Sequence, residues 1–215
     1  MKKIQTRDKV LINRIHYPVK ALGFGNRIGI WFQGCTIHCK GCMSKYTWAF
    51  DSKYAVSYKE VFNKLFEYSE YKPYGITISG GEPFDQPESL LKILEICSEL
   101  KFDEIMVYSG YKFDYLSQKY SNILDMIDLL ISEPFIESLP TNKIWRGSDN
   151  QKIHLLSNQT KERYKRRNLD SETCDDRLPI QIEVSSNSIF VMGIPRRGDL
   201  KKVRQIMRKK GAKIW

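Results

Sequence analysis

No run of eighteen apolar residues occurs in these 215 residues, so no membrane-spanning helix is expected. The opening residues, Met1 to Asp8, have no apolar stretch behind them, and no signal peptide is expected. No internal repeat is visible. Cysteine is scarce, with five residues, three of them clustered. That number and placement exclude a disulfide framework and fit a reducing compartment, so a cytoplasmic protein is expected. Acidic residues almost vanish from the C-terminal end. Between Arg196 and Lys213 there are nine basic residues and one acid, Asp199, a net +8 out of +10 for the whole chain. Such a tail suits an acidic partner or nucleic acid, or else a solvated helix face. The remaining composition, 41% hydrophobic and 12% aromatic, is that of a globular chain with one good core.

What is present begins with Cys35, Cys39 and Cys42, spaced C-x3-C-x2-C, with no fourth cysteine nearby. Closed structural zinc sites use four ligands, commonly as two pairs. A [4Fe–4S] cluster normally takes four thiolates, so three leave one iron open to a substrate or cofactor. A second element follows the apolar run Tyr74 to Ile78, which reads as a buried strand. It is Ser79-Gly80-Gly81-Glu82-Pro83-Phe84, a glycine turn at the strand's C-terminal end. Glycine lets backbone groups approach a ligand closely, and Glu82 or the backbone beside it can hold an ammonium group.

The pattern along the chain is α/β. Tyr17 to Phe24 reads as a strand and glycine turn, and Arg27 to Phe32 as the first buried strand. Ser57 to Glu60 resembles a capping box ahead of a helix to about Tyr68. A helix follows over Glu88 to Leu100, with Cys97 on its apolar face, then strands over 104–109 and 127–132. Strands alternating with helices argue for a parallel sheet with right-handed crossovers, whose ligand sites lie at the strands' carboxyl ends. The cysteine loop, G-G-E-P, Tyr108-Ser109-Gly110-Tyr111 and Glu133-Pro134-Phe135 all fall at such ends. The stretch 158–178 reads as a charged linker or loop containing Cys174, an incidental thiol. Ile180–Val184 and Ile189–Ile194 read as a hairpin. Gly198 to Lys210 reads as a helix with Leu200, Val203, Ile206 and Met207 inward.

The cysteine spacing with G-G-E-P resembles the radical S-adenosylmethionine (SAM) superfamily. Lys45-Tyr46-Thr47-Trp48, Tyr108 to Tyr111 and Trp145-Arg146-Gly147-Ser148-Asp149-Asn150-Gln151 narrow the resemblance to the activating proteins of anaerobic ribonucleoside-triphosphate reductase. It covers about residues 15 to 157. Glu133 departs from it, standing where that family usually has glycine, and the tail of nearly sixty residues is an addition.

The resemblance implies a partial, open TIM-like radical SAM barrel with a parallel sheet over residues 1–157; the hairpin and helix signals add a small appendage over 179–215. It implies a [4Fe–4S] cluster on Cys35, Cys39 and Cys42, and SAM as the second cofactor. Gly41, Cys42 and Met43 would lie near the adenine, and Gly80, Gly81 and Glu82 against the methionine end. Ser109 would contact the ribose or carboxylate, and residues 146–151 would shape a partner-facing rim. The implied activity is reductive cleavage of SAM to a 5′-deoxyadenosyl radical, which installs a glycyl radical on a partner reductase. The electron would come from an external donor such as flavodoxin or ferredoxin. Two other readings compete: a radical SAM enzyme that modifies another peptide or small molecule directly, and a non-enzymatic iron–sulfur module that binds nucleic acid through the basic tail.

Overall fold

The computed structural model describes residues 8–173, 180–184, 189–196 and 198–209. Seven strands form one open, mixed sheet: β1 (Lys9–Val19), β2 (Arg27–Phe32), β3 (Ala55–Ser57), β4 (Gly75–Gly80), β5 (Ile105–Tyr108), β6 (Leu129–Ser132) and β7 (Lys152–Leu155), in the order β3-β1-β2-β4-β5-β6-β7. The central four, β2, β4, β5 and β6, run parallel. The edges β3, β1 and β7 are antiparallel to their neighbours, so the sheet is not uniformly parallel. For β1 and β2 the short connection between them leaves the strands antiparallel, since parallel neighbours need a crossover of a dozen or more residues. The first strand also lies earlier than expected. Val19 already pairs with Arg27, so residues 20–26 form the reversal, with Gly23 and Gly25 at positive φ.

Successive strand residues face opposite sides of the sheet. Ile28, Ile30 and Phe32 of β2, Ile76 and Ile78 of β4 and Val107 of β5 bury one face against α1 (Tyr58–Ser69), α2 (Pro87–Glu99), α3 (Phe113–Lys119) and α4 (Ser121–Leu124). Cys97 is fully buried in this layer, as its helical spacing suggests. The capping box is formed: Ser57 Oγ accepts from Glu60 N at 3.2 Å, and Glu60 Oε2 accepts from Ser57 N at 2.8 Å. Trp31, Met106, Leu129 and Ile131 point to the other face.

That second face is where the later chain returns. Residues 158–164 are not a linker but a helix, α5 (Asn158–Tyr164), N-capped by Ser157 Oγ, which accepts from Thr160 N at 3.2 Å. Its polarity misled the sequence reading because its partner is a buried acid. Tyr164 Oη donates to Glu104 Oε2 at 2.6 Å, and Arg163 donates to the same oxygen at 3.0 Å. The other oxygen of Glu104 accepts from Arg27 at 2.8 Å, and both partners of this pair are essentially inaccessible. Burial lowers the Arg27 pKa, and Glu104 opposes that. The pair lies at the amino ends of β2 and β5, away from the cysteine loop, and ties the return segment beneath the sheet. Cys174 lies outside the described residues.

The hairpin is present as β8 (Ile180–Val184) and β9 (Ile189–Gly193), antiparallel and separate from the main sheet. It does not extend a sheet edge. Phe190 and Met192 pack on Val19, Leu22 and Trp31, with Phe190 edge-on to Trp31 at 5.2 Å. Gln181 secures it, donating to Pro18 O at 2.8 Å and accepting from Lys20 N at 2.9 Å. α6 (Asp199–Lys209) follows. Leu200 and Val203 are half-buried, but Ile206 is 55% exposed and does not turn inward. Among the described residues of α6, partial burial is confined to its first turns, at Asp199, Leu200 and Val203. The side chain of Met207 lies outside the described residues.

Candidate functional site

Four loops at the carboxyl ends of β2, β4, β5 and β6 converge, as expected of an open α/β sheet. Cys35, Cys39 and Cys42 come from the first, Gly80, Gly81 and Glu82 from the second, and Ser109 and Gly110 from the third. Phe135 and Glu137 come from the fourth. All of them line one cavity of about 790 Å³, together with Gly41 and Met43. That volume is in the range of sites for cofactor-sized ligands.

The cysteine loop is held by backbone and side chain at once. Gly34 N and Cys35 N donate to Thr47 O at 2.7 Å and Trp48 O at 3.0 Å. Asp85 then accepts from Thr36 N at 2.6 Å and Thr36 Oγ1 at 3.0 Å, and also from Tyr111 Oη at 2.6 Å. Asp85 and Tyr111 therefore join three of the loops. Burial, followed by the hydrogen bond to Asp85, pushes the Tyr111 phenol up. Neither residue belonged to the expected site. Their only sequence signal was position: Asp85 directly follows Ser79–Phe84, and Tyr111 closes Tyr108–Tyr111.

Burial pushes the Cys35 and Cys39 thiols up. Backbone N–H groups of His38 and Ile37 pull Cys35 down, and that of Phe135 does the same for Cys39. Donors aimed at sulfur are the devices that tune iron–sulfur centres. The residues present fit such a group. Three thiols share one wall, and among the described residues no three His, Cys, Asp or Glu converge closely enough for a single metal ion. Three thiols with no fourth cysteine nearby suit a cluster with one iron left open better than a closed four-ligand zinc site.

Glu82 is 2% exposed, and its carboxylate is fully engaged. Oε1 accepts from Ser109 Oγ at 2.9 Å and from Phe84 N at 3.0 Å, and Oε2 accepts from Gly110 N at 2.7 Å. Burial nevertheless pushes Glu82 up to about 7. Ser109 is engaged too: it donates to Glu82 and accepts from Tyr111 N at 3.1 Å. Its hydroxyl is thus used within the protein rather than presented to a ligand. Gly81 reads differently in three dimensions as well. A Cβ there would overlap the carbonyl oxygen of Gly34, next to Cys35. The glycine is required for loop-to-loop packing, not only for an approaching ligand.

The Trp145–Gln151 run is a hydrogen-bonded turn in which Asn150 Oδ1 is buried without a partner among the described residues. Arg146 is 3% exposed and donates to Asp170 and Leu169 O. Ser148 Oγ accepts from Ile136 N, Asn150 donates to Pro134 O, and Gln151 donates to Glu133 O. The motif holds the loop after β6. Only Gly147 and Gln151 of it reach the cavity wall. Glu133 itself has φ 81°, the region that favours glycine.

The C-terminal appendage contributes to the cavity as well. Val191, Met192, Gly193, Ile194, Pro195 and Leu200, from β9 and the start of α6, line the same cavity as the cysteines. Among the described residues no helix is long and apolar enough to cross a membrane.

Residues 21–154 match the family model described as "4Fe-4S single cluster domain". The chain is 32% identical over 150 residues to the anaerobic ribonucleoside-triphosphate reductase-activating protein of Escherichia coli, covering 66% of this chain and 96% of that one. The protein of the same description from Haemophilus influenzae is 35% identical over 147 residues, covering 65% and 94%. That from Enterobacteria phage T4 is 32% identical over 135 residues, covering 61% and 85%. Three thiols, a glycine-cradled loop and an open sheet thus occur together in a matched segment that spans nearly all of the cellular relatives. The chain belongs to the family of anaerobic ribonucleoside-triphosphate reductase-activating proteins, radical SAM enzymes with a 4Fe-4S single-cluster domain.

Proposed function

We propose that this chain binds SAM beside its cluster and installs a glycyl radical on an anaerobic ribonucleoside-triphosphate reductase. The observation that carries the reading is the sharing of one cavity by Cys35, Cys39, Cys42, the G-G-E-P loop and the loop after β5. When bound, the cluster and SAM would supply the one-electron chemistry that yields methionine and a 5′-deoxyadenosyl radical for hydrogen abstraction from the partner's glycine. The protein's own residues bind, orient and exclude water. Cys35, Cys39 and Cys42 ligate three irons as thiolates. Gly41, Cys42 and Met43 form the wall for the adenine.

Gly80 and Gly81 bring backbone close to the methionine end. Glu82 has its carboxylate occupied by three donors, so it sets the separation of two loops and leaves the neighbouring backbone carbonyls to meet the ammonium. Ser109 acts through Glu82 as a positioning residue. In this reading residues 1–157 form the radical SAM core and 179–215 an appendage. The setting is a reducing cytoplasm, with flavodoxin or ferredoxin as the electron source.

The test is anaerobic reconstitution with iron, sulfide, SAM and dithionite, with and without the reductase of the same cell. Methionine and 5′-deoxyadenosine should form, and a glycyl-radical signal should appear in electron paramagnetic resonance only when the reductase is present. SAM cleavage without any such signal would favour a different substrate.

A further inference from the structure

We propose that the appendage, β9 and α6, is the docking element for the reductase, receiving an acidic face of that protein beside the segment that enters the cavity. This rests on the activase reading above and adds where the protein substrate is recognised. Continuity comes first. β9 lines the same cavity as the cysteines, and the lining continues through Pro195 to Leu200, the first turn of α6. The helix therefore begins at the cavity lining, and its remaining turns carry their charges next to the site that holds the cysteines. The hairpin is a fixed wall: Met192 is 1% exposed, and Arg14 stacks over the Phe190 ring at 4.1 Å.

Charge and apolar exposure select the partner. Lys201, Lys202, Arg204, Arg208 and Lys209 are all exposed. Among the described residues none of the five forms an ion pair. The one acid of the helix, Asp199, turns back to accept from Arg196 N at 2.9 Å. Such a field attracts an anionic surface and steers its approach. Ile206 stands 55% exposed among these cations, and β8 leaves Val184 64% exposed. Aliphatic groups bordered by charge are the composition of a protein interface, where an apolar centre has a polar rim. A phosphate backbone would call on the cations alone. The appendage also lies beyond the matched segment 21–154, so it distinguishes this chain's docking from what the shared core supplies.

The experiment reverses Lys201, Lys202, Arg204 and Arg208 to Glu together, and separately neutralises the same four with Gln, leaving Leu200 and Val203 in place. Both proteins are reconstituted with the cluster, and dithionite replaces the protein electron donor, so donor docking is bypassed. Association with the reductase should weaken at least tenfold for the Glu variant and by an intermediate factor for the Gln variant. The wild-type salt dependence should flatten, while reductase-free SAM cleavage stays within twofold of wild type. Unchanged association across 50 to 300 mM salt, roughly the range over which screening grows, would overturn the proposal. So would loss of reductase-free SAM cleavage, which would make the appendage part of the cofactor site. Loss of RNA binding in the Glu variant, with reductase association intact, would assign the surface to nucleic acid instead. If the wild-type protein cleaves no SAM at all, the activase reading fails, a result separable from these.

Discussion

Glu82 Oε2 accepts the backbone N–H of Gly110 at 2.7 Å, and this bond ties the loop after β4 to the loop after β5. With Ser109 and Phe84 on the other oxygen, one buried carboxylate fixes the shape of half the cavity. Asp85, three residues after Glu82, does the same for the cysteine loop through Thr36 and Tyr111. Two carboxylates one short turn apart are anchors of the site.

Glu82→Gln tests the first anchor. Gln offers one acceptor and one donor where Glu offers two acceptors, so its NH2 would oppose either Gly110 N–H or the donors on the other oxygen. An unsatisfied buried donor costs about 1–3 kcal/mol. Denaturant unfolding should show that loss, and SAM affinity should fall with it. Wild-type stability would mean that the loops are set by other bonds.

The same residue predicts a pH dependence. Burial is the largest influence on Glu82 and moves it from 4.5 up to about 7, Asp85 adds a smaller upward push, and the donors from Gly110, Phe84 and Ser109 oppose them. The folded value lies above the unfolded one, so the folded chain holds the proton more tightly. Stability from this group is fully present below 4.5 and is lost as pH rises through about 7. The urea midpoint of the metal-free chain should therefore fall across that window in wild type, by a margin absent in Glu82→Gln. Parallel profiles for the two proteins would remove Glu82 as the titrating group.

Reconstituted protein should hold about four irons per chain, one cluster's worth. Cys35→Ala, Cys39→Ala and Cys42→Ala should each lose the cluster's visible absorption. Cys97→Ala should keep it, because that thiol is fully buried in the helical layer, and should only cost stability through lost packing. Full iron loading in Cys39→Ala would defeat the ligand assignment.

Gly81→Ala should damage cluster and SAM sites together. The new methyl overlaps Gly34 O, so the start of the cysteine loop must shift. We expect reduced iron retention as well as weaker SAM binding, read from iron content and equilibrium dialysis. An intact cluster with only SAM binding lost would return Gly81 to a role confined to ligand approach.

Glu133→Gly should be stabilising. At φ 81° a non-glycine residue carries about 1 kcal/mol of strain. Among the described residues the carboxylate gives back one long hydrogen bond, accepting from Phe113 N at 3.3 Å. A raised melting temperature is the expected result. A clear drop would show that the bond to the start of α3 outweighs the dihedral.

Much of this was legible before folding. Ile76 and Ile78 mark a buried strand because they alternate with small residues, and Ser57 and Glu60 mark a helix start because each satisfies the other's backbone. Cys35, Cys39 and Cys42 name their chemistry by spacing alone. Local order and residue type decide such features. The helix at 158–164 was hidden because its polar face meets Glu104, buried, from far away in the sequence. Asp85 and Tyr111 were hidden because a carboxylate and a phenol look alike whether solvated or joining three loops.

By itself, then, the sequence determined the cluster-binding loop, the glycine turn beside it, the central strands and the family. Only the tertiary structure decided which polar groups are anchors and which remain for a ligand, since that depends on where each donor and acceptor ends up. It made Glu82 and Ser109 partners of each other. It turned Arg146, Ser148 and Gln151 inward to hold the loop after β6, and left Ile206 facing out. It also brought β9 against Trp31, because Phe190 and Met192 needed an apolar face that β1 and β2 supplied. That contact, between segments remote in sequence, is what makes the C-terminal appendage a wall of the cavity.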